Sequence, residues 1–114
     1  MAPVRVCAVG DVPAPGALQV KVPGAGGQEV AVAVVRDSDG SLHAISDTCT
    51  HQQVSLSEGE VEDGQIECWL HGSLFDLRTG HPDSLPAVTP VAVYPLNVAG
   101  SDVLVDVTAP LNSP

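Results

Sequence analysis

Apolar residues recur along this chain in short runs, some alternating with polar residues and some continuous. A period of two residues, as in VRVCAV and DVLVDV, is typical of β-strands, and the runs are separated by residues that favour turns. Eight or nine strands are expected. The segments that carry them are VRVCAV, ALQVKV, EVAVAVVRD, SLHAIS, QIECWL, LFDLRTG, VAVYPLNV and DVLVDV.

Three turn signals separate neighbouring strand candidates. Asp39-Gly40 and Asp63-Gly64 are typical of tight hairpin turns, and the segment Ala99–Asp102 connects the last two runs in the same way. The composition supports this pattern, since the chain has nineteen valines, 3% aromatic residues, ten prolines and eleven glycines. We therefore predict an all-β, antiparallel fold in which 114 residues make one domain, 1–114.

Two longer stretches lack a strand pattern, Asp47–Glu60 and the proline-rich segment His81–Pro90. Long loops on a compact β scaffold often carry binding residues, and the first stretch contains the sequence CTH. The last residues, TAPLNSP, are expected to be a frayed tail.

The charge of the chain limits its partners. With a net charge of −10, the surface repels phosphate backbones and anionic headgroups, so neither nucleic acid nor a membrane is an expected partner.

The longest apolar run, Val30–Val35, has six residues, too few to cross a bilayer. The N-terminus has no apolar stretch typical of a secretory signal. We expect a cytoplasmic protein, in which closely placed cysteines hold metal more often than they form disulfides.

Two short segments pair a cysteine with a histidine. Cys49 and His51 are separated by one residue, and Cys68 and His71 by two, with sixteen residues between the segments. In an extended loop, one intervening residue places both side chains on the same face. The wider spacing suits a turn just after a strand, and two such loops could close on one metal centre from opposite sides.

The motif as a whole, C-x-H, sixteen residues, C-x-x-H, then Gly72-Ser73 and FDLRTG, resembles the Rieske iron-sulfur domain. The resemblance covers nearly the whole chain. It implies a Rieske-type antiparallel β-sandwich with a cluster-binding subdomain formed by two loops, at about 47–60 and 68–75. It also implies one 2Fe-2S cluster per chain, with Cys49 and Cys68 on one iron and His51 and His71 on the other.

Differences between members of the Rieske family indicate which members this chain resembles most. High-potential relatives carry a disulfide between the two loops, at positions that here hold Val54 and Leu70, so the resemblance is to soluble ferredoxins of lower potential. Ser73 stands where a hydroxyl can donate a hydrogen bond to a cluster sulfide in high-potential relatives. Phe75 stands where those relatives have a tyrosine, so a second such bond is missing.

The resemblance implies an electron carrier and not an enzyme. The expected function is a monomeric ferredoxin that carries single electrons from a flavin reductase to the terminal oxygenase of an aromatic ring-hydroxylating dioxygenase system. A catalytic oxygenase would need a further domain with mononuclear iron, for which the sequence leaves no room. Alternative functions are a ferredoxin of iron-sulfur cluster assembly and a small subunit of a nitrite reductase-like complex. A zinc-binding structural module is disfavoured by the spacing of the motif.

Several other residues have simpler interpretations. His43 and His81 lie outside the motif and are expected to be structural, and Cys7 is expected to be a buried small hydrophobe. Trp69 is expected to shield the cluster from water. Arg78 is expected to pair with Asp76 or with another carboxylate. The acidic segment at 57–67 is expected to be a solvated hairpin that could face a basic partner.

Overall fold

The valine-rich runs form strands, as their patterns predict. A computed structural model describes residues 3–13, 15–24, 26–48, 55–69, 72–82, 90–108 and 110–112. Within these residues lie two short 3-10 helices, Val9–Asp11 and Leu56–Glu58, and ten strands. No helix there is long and apolar enough to span a membrane. The strands are β1 Val4–Ala8, β2 Gly16–Pro23, β3 Glu29–Arg36, β4 Leu42–Ser46, β5 Val61–Glu62, β6 Gln65–Glu67, β7 Leu74–Asp76, β8 Val93–Tyr94, β9 Leu96–Ala99 and β10 Asp102–Val105.

The strands of the described residues form three sheets, and all neighbouring strands in them are antiparallel. The sheet orders are β1-β10-β9, β2-β3-β4-β8 and β5-β6-β7. The prediction of an all-β, antiparallel fold is therefore confirmed.

The four-stranded sheet is the middle layer of a sandwich. On β3, Ala33 and Val35 face one hydrophobic cluster while Val32 and Val34 face another, because successive side chains of a strand point to opposite sides. All four side chains are fully buried, which explains why the run VAVAVV is continuously apolar. The first cluster packs against β5-β6-β7, through Ile66 and Phe75 among others, and the second against β1-β10-β9.

The predicted hairpin turns are confirmed. The Asp39-Gly40 turn joins β3 to β4, the Asp63-Gly64 turn joins β5 to β6, and a turn at Gly100 joins β9 to β10. Asp63 has φ +53° and Gly64 has φ +80°, the left-handed pair that a two-residue hairpin turn requires. Substituting Gly64 by a residue with a side chain would strain this turn.

The strands differ from the prediction in number and in bounds. Ten strands lie in the described residues instead of eight or nine, and β5 was not among the predicted runs. The run VAVYPLNV divides at Pro95, because proline has no N–H group to continue a ladder. Its two halves, β8 and β9, belong to different sheets. The run QIECWL stops being a strand after Glu67, where the chain turns toward β7.

The expectation of a frayed C-terminal tail is wrong for residues 110–112. The Leu111 N–H group donates to the Val93 carbonyl oxygen at 2.7 Å. The Asn112 side chain accepts a hydrogen bond from the Val93 N–H group and donates to the Val91 and Thr79 carbonyl oxygens, each at 2.9 Å. The tail therefore fastens β8 to the turn that follows β7.

Replacing Asn112 by alanine should destabilise the fold by about 2 kcal/mol, because partly buried backbone groups of Val91 and Val93 lose their partner. Thermal unfolding monitored by circular dichroism would measure the effect. Asn97→Ala is the matched control, since Asn97 is exposed on β9. Equal melting temperatures for the two variants would contradict this role of the tail.

Candidate metal centre

A tight turn carries the second cysteine of the motif. The Cys68 N–H group donates to the Ser73 carbonyl oxygen at 2.7 Å, and the Gly72 N–H group donates to the Cys68 carbonyl oxygen at 2.8 Å. Gly72 has φ +77°, a conformation that glycine adopts without strain. The turn therefore joins β6 to β7 and holds Cys68 at a fixed place at its base.

The side chains at the base of this turn are buried. Cys68 is 1% exposed, Ser73 and Phe75 are fully buried, and Cys68 packs in the same hydrophobic cluster as Leu56 and Ile66. A thiolate in such a dry site is costly unless a cation or donors compensate it, so the chemistry of Cys68 fits binding to iron.

The loop that contains the first cysteine and histidine is closed at its base. Thr48 and Ser55 form an isolated β-bridge, and the Leu56 N–H group donates to the Asp47 carbonyl oxygen at 2.6 Å. The Asp47 carboxylate, only 1% exposed, accepts a hydrogen bond from the Ser57 N–H group at 2.8 Å. The segment between residues 48 and 55 therefore begins and ends at one point of the central sheet.

The end of this first loop lies directly against the start of the second. The Glu67 N–H group donates to the Glu60 carbonyl oxygen at 2.9 Å, and β5 pairs with β6. A Cβ atom on Gly59 would lie far inside 3.0 Å of the Glu67 carbonyl oxygen. This close backbone approach brings the first loop to the residue that precedes Cys68.

Of the four predicted ligands, only Cys68 lies in the part of the chain that the structure describes. Cys49, His51 and His71 lie outside the described residues, and so do the two positions of the missing disulfide, Val54 and Leu70. The assignment of the four ligands therefore stays a prediction. What the structure adds is the juxtaposition of the two loop bases.

His43 and His81 have the local roles of ordinary polar residues. His43 is half-buried in β4, its Nε2 atom lies 2.9 Å from the Ser41 hydroxyl, and burial lowers the pKa of this imidazole. His81 is exposed, and its N–H group donates to the Thr79 hydroxyl at 3.2 Å. No group of three or more possible metal ligands occurs among the described residues, so neither histidine is part of one there.

Cys7 is buried, as predicted, at 6% exposure. It packs between the central sheet and β1-β10-β9, so the central sheet separates it from the cluster that contains Cys68. Burial raises the pKa of the Cys7 thiol, which keeps it protonated and unreactive near neutral pH.

Two predictions about neighbouring side chains need correction. Trp69 is 49% exposed, so about half of its surface is open to solvent, and shielding of the cluster by the other half stays a prediction. Asp76 uses its carboxylate to accept hydrogen bonds from the N–H groups of Arg78 and Thr79, at 2.8 and 3.0 Å. Arg78 is exposed, and its guanidinium makes no ion pair with Asp76 in the described structure.

The acidic segment forms a solvated hairpin, as predicted. Glu60, Glu62 and Asp63 are exposed, and together with Gln65, Glu67 and Leu74 they line a shallow groove on the outer side of β5-β6-β7. This surface carries negative charge beside the turn that holds Cys68.

Asp47 and Gly59 are two site residues that the motif did not reveal. A carboxylate two residues before Cys49 was a possible signal for a loop-closing residue, since aspartate often accepts hydrogen bonds from nearby N–H groups. Gly59 gave no signal, because its importance comes from the close approach of the Glu67 carbonyl on a neighbouring strand, which the local sequence does not show.

Comparison with known proteins agrees with this geometry. The profile of the Rieske [2Fe-2S] domain matches residues 2–95. The biphenyl dioxygenase ferredoxin subunit of Pseudomonas sp. (strain KKS102) is 45% identical over 103 residues, which cover 90% of this chain and 89% of that subunit. The 2Fe-2S cluster is thus the cofactor that the similarity implies, and Cys68 in its dry turn fits it.

Solved structures show the same similarity. The ferredoxin of carbazole 1,9a-dioxygenase from Nocardioides aromaticivorans IC177 has 40% sequence identity and a TM-score of 0.73, covering 92% of this chain and 97% of that one. A ferredoxin in complex with the oxygenase of carbazole 1,9a-dioxygenase has 37% identity and a TM-score of 0.78, covering 90% of this chain and all of that one. The chain therefore belongs to the Rieske [2Fe-2S] domain family.

Proposed function

We propose that this chain is a one-electron carrier of an aromatic ring-hydroxylating dioxygenase system, taking electrons from a flavin reductase and delivering them to a terminal oxygenase. The observation that carries the proposal is similarity along almost the full length of a dioxygenase ferredoxin subunit, 89% of that protein. The relatives are electron carriers and not the catalytic subunits. Residues 1–114 then act as one Rieske domain with ligand loops at about 47–60 and 68–75.

In this proposal, Cys49 and Cys68 bind one iron, and His51 and His71 bind the other. The cluster, when bound, accepts and releases one electron. Two thiolates and two neutral imidazoles bring less negative charge to the centre than four thiolates would. For this reason Rieske potentials lie at roughly −150 to +300 mV, above the ~−400 mV of plant-type ferredoxins.

The described residues near Cys68 differ in their exposure to solvent. Phe75 and Leu56 exclude water from the Cys68 end, whereas Trp69, on the same turn, is half exposed. We propose that a redox partner approaches the side of His51 and His71, whose positions lie outside the described residues, because imidazoles at the loop tips offer a path for the electron. Negative charge on Glu60, Glu62 and Glu67, beside the turn that holds Cys68, favours encounter with a positively charged partner surface.

The Ser73 hydroxyl is proposed to raise the reduction potential. Ser73 is fully buried at the base of the turn, so its hydroxyl is held away from solvent. If it donates to a cluster sulfide, Ser73→Ala should lower the potential by about 60 mV for each 1.4 kcal/mol of lost stabilisation. Redox titration measures the shift, with the exposed turn residue Ser101→Ala as control. Equal potentials for the two variants would mean that the Ser73 hydroxyl points elsewhere.

A cytoplasmic, monomeric state is part of the proposal. Cys7 is a free, buried cysteine, which suits a reducing compartment. Analytical ultracentrifugation of the purified protein measures its oligomeric state. A dimer at micromolar concentration would contradict the proposed monomer.

A reconstituted electron-transfer chain tests the function. The protein should be reduced by an NADH-dependent flavin reductase of a ring-hydroxylating dioxygenase system and reoxidised by the oxygenase component, with turnover proportional to carrier concentration. If the reductase reduces the protein but no such oxygenase reoxidises it, a role in iron-sulfur cluster assembly would be favoured. Stable co-purification with a large reductase subunit would favour the nitrite reductase-like role, for which the structural likeness, at 18% identity, shows only the fold.

A further inference from the structure

The Asp47 carboxylate is one of two buried carboxylates among the described residues. It lies just after β4, is 1% exposed, and neither oxygen has a cationic partner among the hydrogen bonds of the described residues. One oxygen accepts the Ser57 N–H group and the other accepts the Gln19 side-chain amide. Burial of a carboxylate is costly unless hydrogen bonds compensate the lost hydration. The two donors therefore stabilise Asp47 in its buried position.

The hydrogen-bond partners of Asp47 all belong to the base of the first ligand loop or to the strands β2 and β3. The Asp47 carbonyl oxygen accepts the Leu56 N–H group, and its own N–H group donates to the Ala31 carbonyl oxygen at 3.0 Å. Gln19, on β2, also donates to the Ser55 hydroxyl at 3.2 Å. Through Asp47 the loop is fastened to two strands of the rigid central sheet and closed on itself.

We infer that Asp47 is a positioning residue that holds the base of the loop carrying Cys49 and His51 closed, and that Gln19 acts through it. The inference rests on the proposed ligand set, because it concerns the loop that supplies half of those ligands. When Asp47 loses its hydrogen bonds, the loop should open locally while the sheets stay folded. The observable consequence is faster loss of the cluster from an otherwise native protein.

The chain offers a matched control at the other end of β4. Asp37 is also a buried carboxylate, 6% exposed, and also follows a strand. It accepts hydrogen bonds from the Ser38 and Gly64 N–H groups, at 2.8 and 2.9 Å, and so fastens two hairpin turns instead of the ligand loop. Asp37→Ala removes a comparable buried acceptor without touching the base of that loop.

The experiment measures the rate at which an iron chelator bleaches the visible absorbance of the holoprotein, well below its melting temperature. Asp47→Ala should lose its cluster about tenfold faster than the wild type, the factor that corresponds to 1.4 kcal/mol of lost interaction. Gln19→Ala should change the rate in the same direction by less, and the double variant should be no faster than Asp47→Ala alone. Asp37→Ala should lower the melting temperature yet bleach at the wild-type rate.

Visible circular dichroism of the bound cluster gives a second readout that a purely global loss of stability would not move. Its bands should change in Asp47→Ala and stay unchanged in Asp37→Ala. Equal bleaching rates and unchanged bands for Asp47→Ala and Asp37→Ala would overturn the inference. Should Asp47→Ala fail to fold, Asp47→Asn and Gln19→Ala decide the question by the same two measurements. A wild-type protein without iron would overturn the proposed ligand set itself, so the two failures are distinguishable.

Discussion

Replacing Cys68 by alanine should abolish the visible absorbance of the 2Fe-2S cluster and leave a folded apoprotein. Cys68 is proposed as one of two thiolate ligands, and alanine provides no donor atom in its place. The side chain is small, so its removal from the hydrophobic cluster should cost little stability beyond the loss of the metal. Iron analysis and the visible spectrum of the anaerobically purified variant measure the effect.

Cys7→Ala is the control for this experiment. Cys7 is also a buried cysteine, but it packs on the other side of the central sheet. This variant should keep the full iron content and spectrum of the wild type. If Cys68→Ala retained a normal cluster, or if Cys7→Ala lost it, the proposed ligand set would be wrong.

Replacing Gly59 by alanine should destabilise the protein by about 3 kcal/mol or more and lower its melting temperature by about 10 °C or more. The new Cβ atom would collide with the backbone carbonyl of Glu67, and a β-strand cannot yield as a flexible side chain does. Gly59 has φ −86°, so the effect comes from the close approach and not from a conformation reserved for glycine.

Gly59→Ala should also release the cluster more readily, because the same contact joins the two loop bases. Thermal unfolding of the holoprotein and its iron content measure both effects. Gly10→Ala is the control, since no atom lies within 4 Å of a Cβ placed there. A melting temperature for Gly59→Ala within a few degrees of that of Gly10→Ala would show that the two loops do not pack together as described.

Local pattern was enough to predict most of the fold. The strands β3 and β4 and the turns at Asp39-Gly40 and Asp63-Gly64 follow from alternation, β-branched residues and turn chemistry, all of which act between near neighbours. The division at Pro95 was missed because the strand pattern continues through it. The attached tail was missed because polar composition does not show that Asn112 meets Val91 and Val93 across the fold.

The candidate site was predictable where chemistry is encoded in spacing. Two Cys/His pairs sixteen residues apart indicate a metal centre without any structure. The supporting contacts were not predictable, because Gln19 and Asp47 are 28 residues apart in sequence and meet only through the sheet. Exposure of Trp69 was likewise undetermined, since an indole ring suits both a shielding and a contact role.

The most direct test of the account is an analysis of iron and acid-labile sulfide in the anaerobically purified protein, combined with titration by a one-electron reductant. The account predicts about two irons and two sulfides per chain, and complete reduction by one electron, with partial loss of the visible absorbance, at a potential within the Rieske range. A colourless protein that holds zinc, or one that takes up no iron and sulfide under reconstitution, would contradict it.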